Sequence, residues 1–464
     1  MVIFMKTDLV KITKDLEAYK DQVVTVGGWV RSTRDSKTFG FIDLNDGTTF
    51  KGAQIVVNNT LENFDQVVKL NTGSSIIVTG KLILTPENKQ PYEIVADKIE
   101  ICSATDETYP IQKKRQTVEF LRENAYLRGR TNLFNAVFRI RNACAFAIHS
   151  FFQGENFMYV NTPIITCADC EGGSDVFRVT THNFYDAEEM KTATPETDFF
   201  GKNVFLCPTG QLEAEAFALA FSKVYTFGPT FRSENSNTAR HASEFWMIEP
   251  EMAFCDLKGD MEVMEKMIKY IINHVFKTCP QELEFLDQFV EKGLIEKLKS
   301  VVSNDFAHCT YTDAIELLKK NNDKFEFKVE WGIDLQSEHE RYLCETVFKK
   351  PVFVTDYPVE IKAFYMRMND DGKTVAACDL LAPGIGEIIG GSQREERYDV
   401  LLDKIHKFNL KPEDYSWYLN LRKYGSVVHS GFGLGFDRIL MYITGISNIR
   451  DAQFCPRTPK NCIF

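Results

Sequence analysis

The sequence predicts an α+β protein in two parts: a five-stranded β-barrel, then a larger domain built on a largely antiparallel sheet flanked by helices. Three observations lead there. Between Gln22 and Cys102 the chain holds five short β-rich runs cut by turn residues. Residues 256–330 switch to helical spacing of apolar residues. The strands around that block come in consecutive runs and do not alternate with helices, which argues against repeated βαβ units. At 464 residues, 44% of them hydrophobic, the protein exceeds what one core usually supports and has apolar material for two or three.

The five N-terminal runs are VVTVGGWVRSTR, TFGFIDLND, TTFKGAQIVV, SSIIVTGKLIL and YEIVADKIEIC, with a helical stretch near ENFDQVVKL between the third and fourth. This order suggests a barrel of the OB type. Such barrels bind single-stranded nucleic acid through stacked aromatics, and Phe39 and Phe41, with Arg31, Arg34 and Lys51 near them, are the candidates. Strand alternation is expected to leave one of the two phenylalanines outward and the other filling the barrel. Domain limits follow as 1–104 for the barrel, 105–130 for a polar linker, and 131–464 for the larger domain with a helical insertion at about 256–330.

In that domain NLFNAVFRIRNACAFAIHSFF has helical spacing, and GENFMYVNTPIIT turns extended before and after Pro163. Strands are expected around NVFLCPTG, KVYTFGPTFR, EFWMIEPE, KPVFVTDYP, KAFYMRMND and TVAACDLLAPGIGEIIGGSQRE, and a helix in GFDRIL.

Composition excludes several classes. No run of about 18 apolar residues is present, and charges interrupt the start MVIFMKTDLVKITKDLEAYK too early for a secretory signal, so cytosol is expected. Twelve scattered cysteines suit reduced thiols. The C-x-x-C of CADC, Cys167 and Cys170, lacks a second ligand pair for zinc. The net charge of −11 argues against a nucleic-acid coat, yet residues 1–115 balance fifteen Lys/Arg against fifteen Asp/Glu and end in Lys113, Lys114 and Arg115. Neither a P-loop nor a G-x-G-x-x-G after a strand is found.

The chemistry-bearing stretch is FRSENSNTARHASEFWMIEPE. Arg232 and Glu234 fall on one strand face, and Phe245 returns on the partner strand after a loop with Arg240 and His241. An arginine can fork onto phosphate or carboxylate, and a facing aromatic can stack on a purine. Arg438, beside the N-terminus of the GFDRIL helix, suits anionic oxygen, although a surface pair with Asp437 would be the ordinary expectation. With the acid pair Asp379 and Glu387, these residues could hold ATP and Mg2+.

GENFMYVNTPIIT, FRSENSNTARHASEFWMIEPE and GFGLGFDRILMYITGISNIRDAQFCPRTP resemble, in order, motifs 1, 2 and 3 of the class II aminoacyl-tRNA synthetases, over nearly the whole chain. The N-terminal barrel resembles the anticodon-binding domain of the subgroup for aspartate, asparagine and lysine. The resemblance implies that Arg232 meets the α-phosphate and the amino-acid carboxylate, Phe245 stacks on adenine, and Arg438 holds the γ-phosphate. It implies that Glu234 and His241 position the nucleotide, Asp379 and Glu387 bind Mg2+, and motif 1 forms a homodimer. Asp379 and Glu387 stand one residue further apart than in aspartate-type members. The resemblance also implies that Phe41, with Arg31 and Lys51, meets the anticodon, and Glu171 in CEGGSDVF resembles the family's loop that closes over the α-amino group.

The amino acid follows from three positions. Gln211 is present, but where the resemblance to aspartate-type members implies a lysine three residues later this chain has Ala214, which disfavours an anionic substrate. Arg367 is expected to donate to the C=O of a substrate amide and Glu249 to accept from its N–H, as a carboxamide requires. Asparagine and its tRNA are therefore the expected substrates, with an aspartate-charging and possibly non-discriminating enzyme as the alternative. A synthetase-like asparagine synthetase is disfavoured by the barrel, and a silent paralogue by the intact Arg232, Phe245, Glu387 and Arg438.

Overall fold

A computed structural model describes the protein except for residues 1–5, 37, 89, 113, 115, 168–174 and 464. Cys170, Lys113, Arg115 and the Glu171 assignment lie outside the described residues. Compactness divides the molecule into Met1–Phe138 and Arg139–Phe464.

In the first unit β1 (Val23–Asp35), β2 (Phe39–Asn45), β3 (Ala53–Asn58), β4 (Ser75–Leu84) and β5 (Tyr92–Ser103) close into a barrel of order β1-β2-β3-β5-β4. A helical turn, Phe64–Val67, lies between β3 and β4 in sequence, as the spacing predicts. Alternation drives Val24, Val26, Ile42, Leu44, Ile55 and Val57 into the interior. One expectation needs correcting. Residues two apart on a strand share a face, so Phe39 and Phe41 both project outward while Gly40 and Ile42 are buried. Their rings meet edge to face at 5.2 Å. Arg34 stands opposite Phe41, Arg31 sits where the β1–β2 register slips, and Lys51 is exposed between β2 and β3. The segment expected as a linker contains two short helices, Val118–Glu123 and Ala125–Arg128, the first capped by the Thr117 hydroxyl.

The second unit contains β6 (Met158–Tyr159), β7 (Ile165–Thr166), β8 (Arg178–Val179), β9 (Val204–Leu206), β10 (Lys223–Phe231), β11 (Glu244–Ala253), β12 (Ala307–Thr310), β13 (Val352–Pro358), β14 (Thr374–Ala382), β15 (Gly386–Gln393) and β16 (His429–Gly435). Eight of them form one sheet, β12-β13-β14-β15-β16-β11-β10-β6. Only the outer pairings, β12 with β13 and β10 with β6, are parallel. Helix Leu257–Thr278 covers one face of the central strands: a Cβ added at Gly391 would stand 2.5 Å from Met264 Cε.

Two departures from expectation stand out. The mainly helical block 256–330 also holds a strand, Ala307–Thr310, whose four residues are too few to show a period but extend the sheet through β13. KAFYMRMND is not a strand; it makes only isolated bridges, Met366 to Arg394 and Met368 to Val375. Its polar groups go to a turn, where Asn369 Nδ2 donates to Asp356 at 2.9 Å and to Thr374 at 2.8 Å.

A buried ionic group ties helix Gln211–Phe221 to β16. Glu215, on that helix, accepts from Arg422 Nη2 at 2.5 Å and Tyr418 OH at 2.7 Å, and faces His429 Nε2 at 2.7 Å. Burial alone would raise the Glu215 carboxyl, but the Arg422 charge and the His429 hydrogen bond hold it down at about 2.

Candidate active site

The hairpin of β10 and β11 runs in continuous register from Lys223 opposite Met252 to Phe231 opposite Glu244. Beyond it, Arg232 N donates to Ser243 O at 3.0 Å and closes the intervening loop. The loop tip is held by Ile449 N donating to Ala239 O at 2.8 Å. Residues far apart in sequence therefore line one cavity of about 230 Å³: Arg232, Glu234, Arg240, His241 and Phe245 from the hairpin, Glu387 from β15, and Gly433, Gly435 and Arg438 from β16 and the helix after it.

The Arg232 guanidinium lies 5.4 Å from the centre of the Phe245 ring. His241 Nε2 stands 3.8 Å from Glu234, and His241 Nδ1 lies 2.5 Å from the Thr238 hydroxyl. Arg438 does not pair with Asp437. Asp437 is buried and bound by Arg141, which leaves Arg438 Nη1 to reach Glu387, its carbonyl at 3.2 Å and its carboxylate Oε2 at 3.5 Å.

The glycines of GFGLG now have a reason. Phe432 and Leu434 point into the core, so Gly431, Gly433 and Gly435 fall on the cavity face. A Cβ at Gly433 would stand 2.8 Å from Met247 Cε, which fills the space that the glycine leaves. The floor is glycine backbone and the flexible Met247 side chain, with no bulky group standing up from β16.

Asp379 stands opposite Gly390, and Glu387 opposite Leu381, with a bulge between the two pairs. The extra residue of that bulge brings Glu387 to the same face as Gly390, three positions away, and accommodates the wider spacing of the acid pair. Asp379 Oδ1 and Glu387 Oε1 each lie 3.4 Å from where a Cβ on Gly390 would be. Two carboxylates aimed at one point, beside a cavity lined by Arg232, Arg240 and Arg438, fit Mg2+, which takes one or two carboxylates and completes its shell with other oxygens and water. Among the described residues no group of three or more His, Cys, Asp or Glu gathers to cage a metal unaided.

Residues 117–459 match the family model for class II tRNA synthetases (D, K and N), and residues 24–102 match that for the OB-fold nucleic acid binding domain. The protein belongs to the class II tRNA synthetases of the D, K and N group. An asparagine–tRNA ligase of Clostridium tetani is 57% identical over 99% of this chain and 100% of its own, and one of Clostridium beijerinckii is 58% identical over 97% and 98%. The asparaginyl-tRNA synthetase of Pyrococcus horikoshii, in complex with asparaginyl-adenylate, superposes with a TM-score of 0.86 at 32% identity, covering 99% and 100% of the two chains. A putative aspartyl-tRNA synthetase from Leishmania major superposes with a TM-score of 0.81 at 21% identity, so shape alone does not separate the two amino acids.

Further along β10 and β11 this synthetase has a second, more buried polar region. Gln211 is only 9% exposed and its Nε2 lacks a partner, the mark of a donor placed for a ligand. Ala214 is fully buried against Ala218 and Val224, so no charge at that position faces the pocket. Glu249, expected to accept from the substrate amide, already accepts from groups of the protein. It accepts from the Thr209 hydroxyl, from Gly210 N at 2.9 Å and from the Thr226 hydroxyl at 3.2 Å. A carboxylate offers about four acceptor sites, so one remains for an amide N–H.

Arg367 is also placed differently. It turns to Glu396 at 3.4 Å and Asp370 at 3.6 Å, because its segment is a turn and not a strand. The arginine that shares the inner strand face with Gly390 and Ser392 is Arg394, 2% exposed and bound to Glu251 and Ser392. The sequence held a signal for it, since Arg394 follows Ser392 and Gly390 at strand spacing. Glu340 was not legible at all. It accepts from Glu387 N at 3.1 Å, and burial pushes its carboxyl up to about 7.

Proposed function

We propose that the protein activates asparagine with ATP, forming asparaginyl-adenylate and pyrophosphate, and then transfers the asparaginyl group to the 3′ end of its tRNA. The reading is carried by the convergence of Arg232, Phe245, Glu387 and Arg438 on one cavity, in a protein whose full-length curated relatives are asparagine–tRNA ligases. The substrate carboxylate is itself the nucleophile at the α-phosphorus, so the protein contributes position and charge rather than a covalent partner.

Phe245 stacks on adenine beneath the Arg232 fork, and Arg232 bridges the α-phosphate and the incoming carboxylate. Arg438 takes the γ-phosphate end, with Glu234 and His241 on the outer side. Bound Mg2+ neutralises phosphate charge, and Asp379 and Glu387 are the residues that would hold it. In the amino-acid pocket Gln211 donates, Glu249 accepts from the amide, and Arg394 takes the role expected of Arg367, donating to the amide oxygen. Glu171 is assigned to the closing loop by resemblance alone. The protein acts in the cytoplasm as a homodimer joined through motif 1.

The test is amino-acid-dependent pyrophosphate exchange, with asparagine and aspartate compared on the wild type and on Glu249→Gln. Asparagine alone should support exchange. The variant should lose at least tenfold in kcat/KM for asparagine, because an amide in place of the carboxylate disturbs an acceptor bound by three donors. Exchange driven by aspartate would favour the aspartate-charging alternative.

On the barrel, Phe41 presents an outward ring with Arg31 and Lys51 in reach of a phosphate backbone. Stacking on a base is worth about 1–3 kcal/mol, so Phe41→Ala should raise the KM for tRNA roughly tenfold and leave pyrophosphate exchange unchanged. An unaltered KM would remove the anticodon assignment.

A further inference from the structure

The acid pair is gripped from behind. Lys362 Nζ binds Asp379 Oδ2 at 2.7 Å. The ammonium is also stacked 4.0 Å from the centre of the buried Tyr357 ring, and the side chains of Lys362 and Asp379 are only 15% and 16% exposed. On the other side Arg438 stands 3.5 Å from Glu387 Oε2. Each carboxylate thus has one oxygen beside a cation and one, Asp379 Oδ1 or Glu387 Oε1, facing the gap over Gly390.

We propose that Lys362 is a positioning residue for the metal: by holding Asp379 Oδ2 it aims Oδ1 into the gap and keeps Asp379 a one-oxygen ligand. This rests on the reading that Asp379 and Glu387 carry Mg2+ with ATP. A carboxylate left to rotate could present both oxygens or turn away, and Mg2+ tolerates little departure from octahedral geometry. Lys362 makes the orientation a property of the fold before any ligand arrives. A lysine suits the task better than an arginine fork would in the same space, since its compact charge occupies one oxygen and leaves the other open. Residues that orient metal ligands in this way typically contribute 10–100-fold to metal affinity.

The experiment measures the affinity of a non-hydrolysable ATP analogue by calorimetry, in EDTA and in saturating Mg2+, for the wild type, K362M, K362Q, K362R and E387Q. The readout is the Mg2+-dependent tightening, independent of turnover. K362M should lose about tenfold of that tightening, while binding in EDTA stays within about twofold and so reports an intact nucleotide pocket. K362R, whose fork can take both oxygens of Asp379, should restore only part of the tightening. Should K362M fail to fold, K362Q carries the test, because it keeps a polar partner for Asp379 but not the charge.

Tightening equal to wild type in the folded neutral variant overturns the inference. If E387Q loses the tightening and the lysine variants keep it, Lys362 alone is refuted. If E387Q also keeps it, the metal reading falls.

Discussion

Replacing Arg232 by alanine is expected to slow asparagine-dependent pyrophosphate exchange by about 10²–10³-fold, the usual cost of removing one preorganised donor at developing negative charge. The guanidinium is held 5.4 Å from the Phe245 ring, at the mouth of the loop that Arg232 N and Ser243 O close. It is therefore in place before substrate binds, and its charge acts without reorganisation. Arg232→Lys should recover little, because a point charge cannot bridge two anionic groups as a fork does. The loss should fall mainly on kcat and less on ATP affinity, since adenine stacking on Phe245 survives. Exchange within threefold of wild type would show that the hairpin arginine is not the bridging group.

Replacing Arg422 by methionine is expected to cost about 3–5 kcal/mol of stability, because it leaves the Glu215 carboxylate charged and only partly compensated in the interior. Three groups, Arg422, Tyr418 and His429, converge on that carboxylate, and all are fully or nearly fully buried. The pH dependence follows from the sign of the shift. Glu215 titrates near 2 in the folded protein, below the ordinary range of an exposed glutamate, so it stabilises the fold above about pH 4.5. That contribution disappears as pH falls from 4.5 toward 2. Arg422→Met should lower the thermal midpoint at pH 7 and flatten the acid limb of the stability curve. The double variant Glu215→Gln with Arg422→Met should recover much of the loss, because no buried charge is left alone. An unchanged midpoint in the single variant would mean that the network does not hold the fold together.

Local patterns carried much of this protein's description. Alternating apolar residues marked the barrel strands, and three ordered motifs marked the synthetase. The residues of motif 2, with Glu387 and Arg438, line the cavity on which they were expected to meet. Position 214, where a lysine would favour an anionic substrate, is an alanine packed with Ala218 and Val224.

What the sequence alone did not yield depends on partners far away along the polypeptide. Arg367 and Arg394 are both arginines near β15, and only the pairing of strands decides which one turns inward. The partners of Glu249 were not legible, because the turn before the helix at Gln211 and strand β10 bring Thr209, Gly210 and Thr226 against it. The spacing of Asp379 and Glu387 looked one residue too wide until a bulge in β15 turned both toward Gly390.

The sequence by itself determined the element types, the motif order and the residue chemistry, since these depend on periodicity and side-chain identity within a few neighbours. The tertiary structure decided which charges face each other, that Lys362 stands behind Asp379 and that Glu340 stands behind Glu387. Those contacts join segments 17 to 47 residues apart, which meet only when a helix and a loop pack against the sheet.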